Sequence, residues 1–187
     1  MATGRAAAQN GRTQRKHDLA KPRTTDTIDW VGYWWDEQDL GDTERFQAMG
    51  SILRLHQLMT NAMSDALKPF DLTPNSYLLL ATIQLSDTGA RLLSHLASRI
   101  MVHPTTVTLL ADRLEDQGLL AREPHPTDRR ATFARITPAG KALMKEATRA
   151  LAEADFGLPN LTSAQCHDLV AMLKPVRGAL GDDDRAG

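Results

Sequence analysis

Residues 104–136 read PTTVTLLADRLEDQGLLAREPHPTDRRATFARI, and two periodicities follow one another within them. Val107, Leu110, Ala111 and Leu114 recur at steps of three and four, which puts them on one face of a helix over 104–117. Gly118 ends that pattern as its cap. Leu119–Arg122 and Thr132–Ile136 then read as two short strands. The nine residues between them, Glu123–Ala131, hold two prolines and an Asp-Arg-Arg run. That connection is too long and too rich in loop residues for a tight hairpin.

The same grammar extends upstream. A short helix over 94–100 turns Leu96, Ala97 and Ile100 inward, and three residues link it to Pro104. Helix starts are written as X-Pro at Thr73-Pro74, His103-Pro104 and Thr137-Pro138. Proline costs nothing at the first helical position, where its missing N–H would be unpaired anyway. Leu72 with Tyr77, and Val102 with Val107, hold the two positions of a hydrophobic staple. Helices over 138–155 and 162–178 follow the strands. Helix, turn, helix and two-stranded ribbon together make a winged helix-turn-helix, about 74–137, in a mainly α chain with a small β-wing.

A long helix precedes this unit, over about 43–70. Phe46, Met49, Leu53, His56, Met59, Met63, Leu67 and Phe70 form its stripe, and Ile52, Leu55, Leu58 and Ala66 widen it. An apolar surface wider than one face predicts contact with a partner as well as with the core. His56 on that stripe reads first as a buried, satisfied histidine.

The 187 residues fit one domain with a tail. Net charge is −1, but residues 1–25 carry +5, residues 26–44 carry −7 and the remainder +1. The basic segment 1–25 has almost no large apolar residue and is expected to be a disordered tail. The acidic segment 26–42 holds all three tryptophans, and the i, i+4 spacing of Trp30 and Trp34 predicts a helix over about 27–39 that docks on an apolar surface. The basic N-terminus is not followed by an apolar run, so no secretory signal is expected, and no run reaches the ~18 residues of a membrane span. The single cysteine, Cys166, reads as inert packing.

Enzyme motifs are missing: there is no nucleophile elbow, phosphate loop, dinucleotide fingerprint or H-E-x-x-H. The six histidines form no pair at i+3 or i+4. No enzyme activity, cofactor or metal is expected. The face of 104–117 opposite the core stripe shows Thr105, Thr106, Leu109, Asp112 and Arg113, with Thr108 beside them. Small residues near the helix start suit a major groove ~12 Å wide. The threonine hydroxyls suit phosphates or bases, Leu109 a thymine methyl, and Arg113 a phosphate or guanine. Arg129 and Arg130 at the wing tip suit a narrow, electronegative minor groove. Double-stranded DNA is the partner this pattern implies.

The residues from Leu93 to Leu143 resemble the MarR family of bacterial transcription regulators. The resemblance rests on Leu-Ala-Ser-Arg at 96–99, Thr-Val-Thr-Leu-Leu-Ala-Asp-Arg-Leu-Glu at 106–115, Gln-Gly-Leu-Leu at 117–120, Asp-Arg-Arg at 128–130 and Ile-Thr-Pro-Ala-Gly at 136–140. It extends through helix order over about 43–180 and leaves out 1–25. It implies a cytoplasmic, nucleoid-associated homodimer joined by the helices at about 43–70 and 138–178, with one winged helix on each subunit. It also implies a repressor that binds a pseudo-palindromic operator and is released by a small anionic aromatic or phenolic ligand. Arg130 matches the wing arginine that reaches the minor groove or pairs with the recognition-helix aspartate, here Asp112, and Asp128 belongs to the same pairing set. A ligand crevice would take Met59 and Met63 as adaptable walls, with His56 and Tyr77 as polar handles. The chain departs from the family at Leu109, where many members are basic or polar, and at Met101, a turn position often held by glycine. The alternative is a winged helix used only for protein contact, in which Arg129 and Arg130 would have no purpose.

Overall fold

The computed structural model describes residues 26–125, 127, 128 and 131–182. The expected basic tail at 1–25 and the wing arginines Arg129 and Arg130 lie outside them. The elements are α1 (Thr27–Glu37), α2 (Thr43–Leu67) with a 3₁₀ turn at Lys68–Phe70, α3 (Pro74–Gln84), β1 (Ala90–Leu92), α4 (Leu93–Arg99), α5 (Pro104–Asp116), β2 (Leu120–Pro124), β3 (Thr132–Ile136), α6 (Pro138–Glu153) with a 3₁₀ turn at Asp155–Gly157, and α7 (Ser163–Ala179). The chain divides into two compact units between Leu58 and Met59. No helix among the described residues is long and apolar enough to cross a membrane.

In the first unit, Asp26 caps α1 by accepting from the Ile28 amide at 2.7 Å. The helix docks on the start of α2, as expected, and does so through the third tryptophan. Trp35 stacks on Phe46, with ring centroids 3.6 Å apart, and Gln47 Nε2 donates to the Ile28 carbonyl. Trp30 and Trp34 stay exposed, at 54% and 39%. The i, i+4 pair marks one face of the helix, and it is the neighbouring face that meets α2.

In the second unit, α3, α4, α5 and α6 enclose a core that includes Leu79, Leu80, Ile83, Leu96, Val107, Leu114, Leu120 and Leu151. The sheet has three antiparallel strands in the order β1-β3-β2, one more than the two-stranded ribbon expected. Strand β1 pairs Ala90 with Arg135 and Leu92 with Phe133. Three residues are too few for alternation to show, so the sequence hides this strand. Strand β2 is displaced to Leu120–Pro124 because the Leu119 amide is already used, donating to Leu114 O at 2.9 Å to close α5.

That closure is a Schellman turn, with Gly118 left-handed at φ 71. The same turn recurs without glycine at three places among the described residues, the first at Asp39 (φ 52) after α1, where the Leu40 amide reaches back to Trp35 O. Asp71 (φ 53) closes the end of α2, and Met101 (φ 54) closes α4. In each, the next amide reaches back five residues, Leu72 to Leu67 O and Val102 to Ala97 O.

All three X-Pro starts are capped, Thr73 and Thr137 by their hydroxyls and His103 by its ring. Thr73 accepts from the Ser76 amide, His103 from that of Thr105, and Thr137 from that of Gly140. Thr137 also donates its hydroxyl to Gly118 O at 2.8 Å and its amide to Leu119 O at 3.1 Å. The first turn of α6 therefore lies directly on the end of α5. A Cβ at Gly140 would stand 2.2 Å from Leu119 O, so only glycine fits there.

Candidate nucleic-acid interface

The helix-turn-helix is α4, residues 100–103 and α5. Its turn is set by Met101, 69% exposed and left-handed, as the departure at this position requires. The next amides are ordered by His103, whose Nδ1 accepts from Thr105 N at 3.2 Å and lies 3.1 Å from Thr105 Oγ1. The sequence marks His103 only as the residue before a helix-starting proline, and the capping role of its ring emerges from the fold.

Helix α5 buries Val107, Ala111 and Leu114, with Leu110 half-buried beside them. Its outer face begins with Thr105, Thr108 and Leu109, all exposed, Leu109 by 64%, while Thr106 is half-buried. The Thr108 hydroxyl donates to Pro104 O at 3.3 Å. This half of the helix is neutral: it offers hydroxyls and methyl groups.

Charges begin one turn later and are engaged within the chain. Arg113 Nη2 donates to Asp71 Oδ1 at 2.5 Å, and Gln117 Nε2 to Asp71 Oδ2 at 2.7 Å. On the opposite flank, Arg122 of β2 gives Nη1 to Asp112 at 2.5 Å and Nη2 to Thr108 O at 3.3 Å, and lies 3.5 Å from Glu115. The Arg122 amide donates to Glu115 Oε1. Among the described residues Asp112 is thus engaged by a strand arginine. Neither Asp71 nor Arg122 was singled out from sequence. Arg122 has a signal in hindsight: it stands opposite Ala134, fully buried on the core side of the sheet.

The base of the wing is also tied. Arg135 of β3 donates from Nε and Nη2 to the two oxygens of Glu123 on β2, at 2.6 and 3.0 Å, and from Nη1 to Thr88 O. These hydrogen bonds, with the charge of the guanidinium, hold the Glu123 carboxyl below its ordinary value of 4.5 and raise Arg135. His125 stacks on Phe133, and its Nδ1 accepts from the Asp128 amide at 3.1 Å. The wing thus leaves the sheet from a fixed stem.

The expected effector residues are placed as follows. Tyr77 is buried, and its hydroxyl lies 3.0 Å from that of Thr148, so its polar end is occupied. Met59 is half-buried, and Met63 packs against the core. His56 is exposed rather than buried, because residues 51–58 of α2 leave all their side chains exposed in the single chain. Cys166 is half-buried. Among the described residues no group of three His, Cys, Asp or Glu could hold a metal ion.

A short turn between two helices, an exposed neutral helix start and a stiff-stemmed ribbon define a winged helix-turn-helix of the DNA-reading kind. The MarR family model matches residues 72–132. The repressor IacR of Pseudomonas putida is 31% identical over 128 residues, which span 67% of this chain and 74% of that protein. The solved structure of Sco5413, a MarR family regulator from Streptomyces coelicolor, is 37% identical with a TM-score of 0.69, over 75% of this chain and 98% of that one. Sco3205 from the same organism, solved in complex with DNA, shares the fold at 23% identity and a TM-score of 0.65, over 75% and 90% of the two chains. The chain belongs to the MarR family and is a DNA-binding transcriptional regulator.

Proposed function

We propose that this chain is a sequence-specific repressor that binds a pseudo-palindromic operator as a homodimer and is released by a small anionic aromatic or phenolic ligand. The observation that carries the DNA reading is the contrast along α5. Its first half is exposed and neutral, while its charged second half is pinned on both flanks. Thr105, Thr106, Thr108 and Leu109 then read base edges and methyl groups, and Arg129 and Arg130 supply the phosphate or minor-groove attraction. Arg113, paired with Asp71, serves the helix rather than the bases.

Repression is supported by IacR, a relative named as a repressor. Dimerisation is supported by the exposed aliphatic side chains of α2 and α7, among them Ile52, Leu53, Leu58, Val170 and Met172. For the effector we keep Met59, Met63 and Tyr77, with His56 one turn ahead of Met59 on α2. Tyr77 then offers its ring, its hydroxyl being engaged by Thr148. A ligand acts only if it prefers the form whose recognition helices are wrongly spaced.

The test is selection of duplexes from a random-sequence library by the full-length protein, followed by gel shifts at two salt concentrations and with salicylate. The expected result is one enriched inverted repeat, binding that falls steeply with salt, and release by the phenolic acid. Enrichment of nothing, or salt-independent binding, refutes the DNA reading. An operator complex indifferent to a panel of phenolic acids refutes the effector part alone.

A further inference from the structure

We propose that Asp71 is a positioning residue for the recognition helix, fixing α5 to the end of α2 through Arg113 and Gln117. Asp71 sits where a Schellman turn needs a left-handed residue, with φ 53. At the equivalent place after α5 the chain uses Gly118, which pays no steric cost. An aspartate tolerates that conformation better than most residues, and here its side chain has a use. One carboxylate oxygen accepts from Arg113 and the other from Gln117, while the Asp71 carbonyl lies 3.5 Å from the same Arg113 nitrogen.

Arg113 and Gln117 are one turn apart. A single bond would leave a pivot, whereas two bonds a turn apart oppose both sliding and tilting of the helix. On the other flank Arg122 holds Asp112 and Glu115. The grip is therefore confined to 112–117, and the reading end at 104–109 projects from it. At a rise of 1.5 Å per residue, a 10° tilt about Arg113 would move residue 104 by about 2 Å, enough to spoil base contacts. The pair is also well exposed, the Arg113 and Asp71 side chains by 49% and 72%. Exposed pairs add little to global stability, so orientation can be lost without unfolding.

The inference rests on the DNA-binding reading above, and its test separates the two. Full-length Asp71→Gly, Arg113→Ala and the double variant are compared with the unaltered chain on the duplex that the unaltered chain selects and on a scrambled duplex of the same composition. Glycine at 71 keeps the backbone turn and removes only the carboxylate. Each single variant should lose about tenfold on the selected duplex, roughly the worth of one base contact, and less than twofold on the scrambled one. The double variant should be no worse than Asp71→Gly alone, because that change already removes both the Arg113 and the Gln117 bond. The salt slope should not change. Hydrogen exchange without DNA should quicken over 104–117 in both singles, with β2 and β3 unaffected. Additive losses, equal losses on both duplexes, unchanged exchange, or a loss in Arg113→Ala with Asp71→Gly intact would overturn the proposal. The last of these would return Arg113 to direct DNA contact. If the unaltered chain selects no duplex, the DNA reading fails, while hydrogen exchange still decides the clamp.

Discussion

Helices α5 and α7 differ by four residues in length, 13 against 17, and both carry aliphatic side chains at helical spacing, yet they end in opposite situations. Helix α5 closes Val107, Ala111 and Leu114 into the core of its own chain. Helix α7 buries none of its residues and exposes Val170, Met172 and Val176. The first half of α2 resembles α7, with Met49, Ile52, Leu53, Leu55 and Leu58 exposed. The stripe of the reading helix is completed within the chain, while α7 and the first half of α2 leave theirs uncovered in the single chain. The homodimer proposed above would cover them, and a two-fold operator would take two reading helices.

The comparison breaks most sharply by truncation on each side. Leu114→Ala should cost ~2–5 kcal/mol in urea unfolding, because it empties part of a closed core. Val170→Asp with Val176→Asp should leave the winged unit folded by circular dichroism but shift the light-scattering mass from twice 20.6 kDa to 20.6 kDa. If the double aspartate variant keeps its mass, α7 is not part of the joint.

A smaller effect sharpens the turn between α4 and α5. Met101→Gly removes a left-handed, solvent-facing methionine from a Schellman position and should raise stability by about 1 kcal/mol, read as a higher midpoint in thermal unfolding. A lower midpoint would mean that the Met101 side chain makes a contact worth more than its backbone strain.

The smallest effect concerns the stem of the wing. The Glu123 carboxyl is depressed below 4.5 in the folded chain, so its stabilising contribution is fully present above that value and is lost as pH falls through the folded value. Glu123→Gln should therefore lower the thermal midpoint at pH 7, and the gap from the unaltered chain should close in acid. A gap that persists below the folded value would show that the Arg135 contact does not depend on charge.

What the sequence made legible was local. The caps at Thr73 and Thr137, the Gly118 turn and the stripe of α5 all arise between residues a few positions apart, where spacing alone decides who meets whom. The links that aim α5 are not local. Asp71 and Arg113 are 42 residues apart, and Arg122 reaches back across the turn after α5 to Asp112. Such pairs depend on how elements cross, which no periodicity records. Arg113 therefore read as a base or phosphate contact, although in the folded chain it is held by Asp71. The tryptophan pair shows the same limit: its spacing identifies the helix, but which face docks is settled by the surface it meets, here Phe46 and Gln47. His56 read as buried because its stripe is apolar, yet in one chain that part of α2 is uncovered.

The central claim is that two copies each place the first half of α5 in one half-site. Hydroxyl-radical footprinting of the full-length protein on its selected duplex tests this directly. The account predicts two protected patches related by a two-fold axis, centred about one helical turn, ~10 bp, apart. A single patch, or two patches in direct repeat, would contradict it.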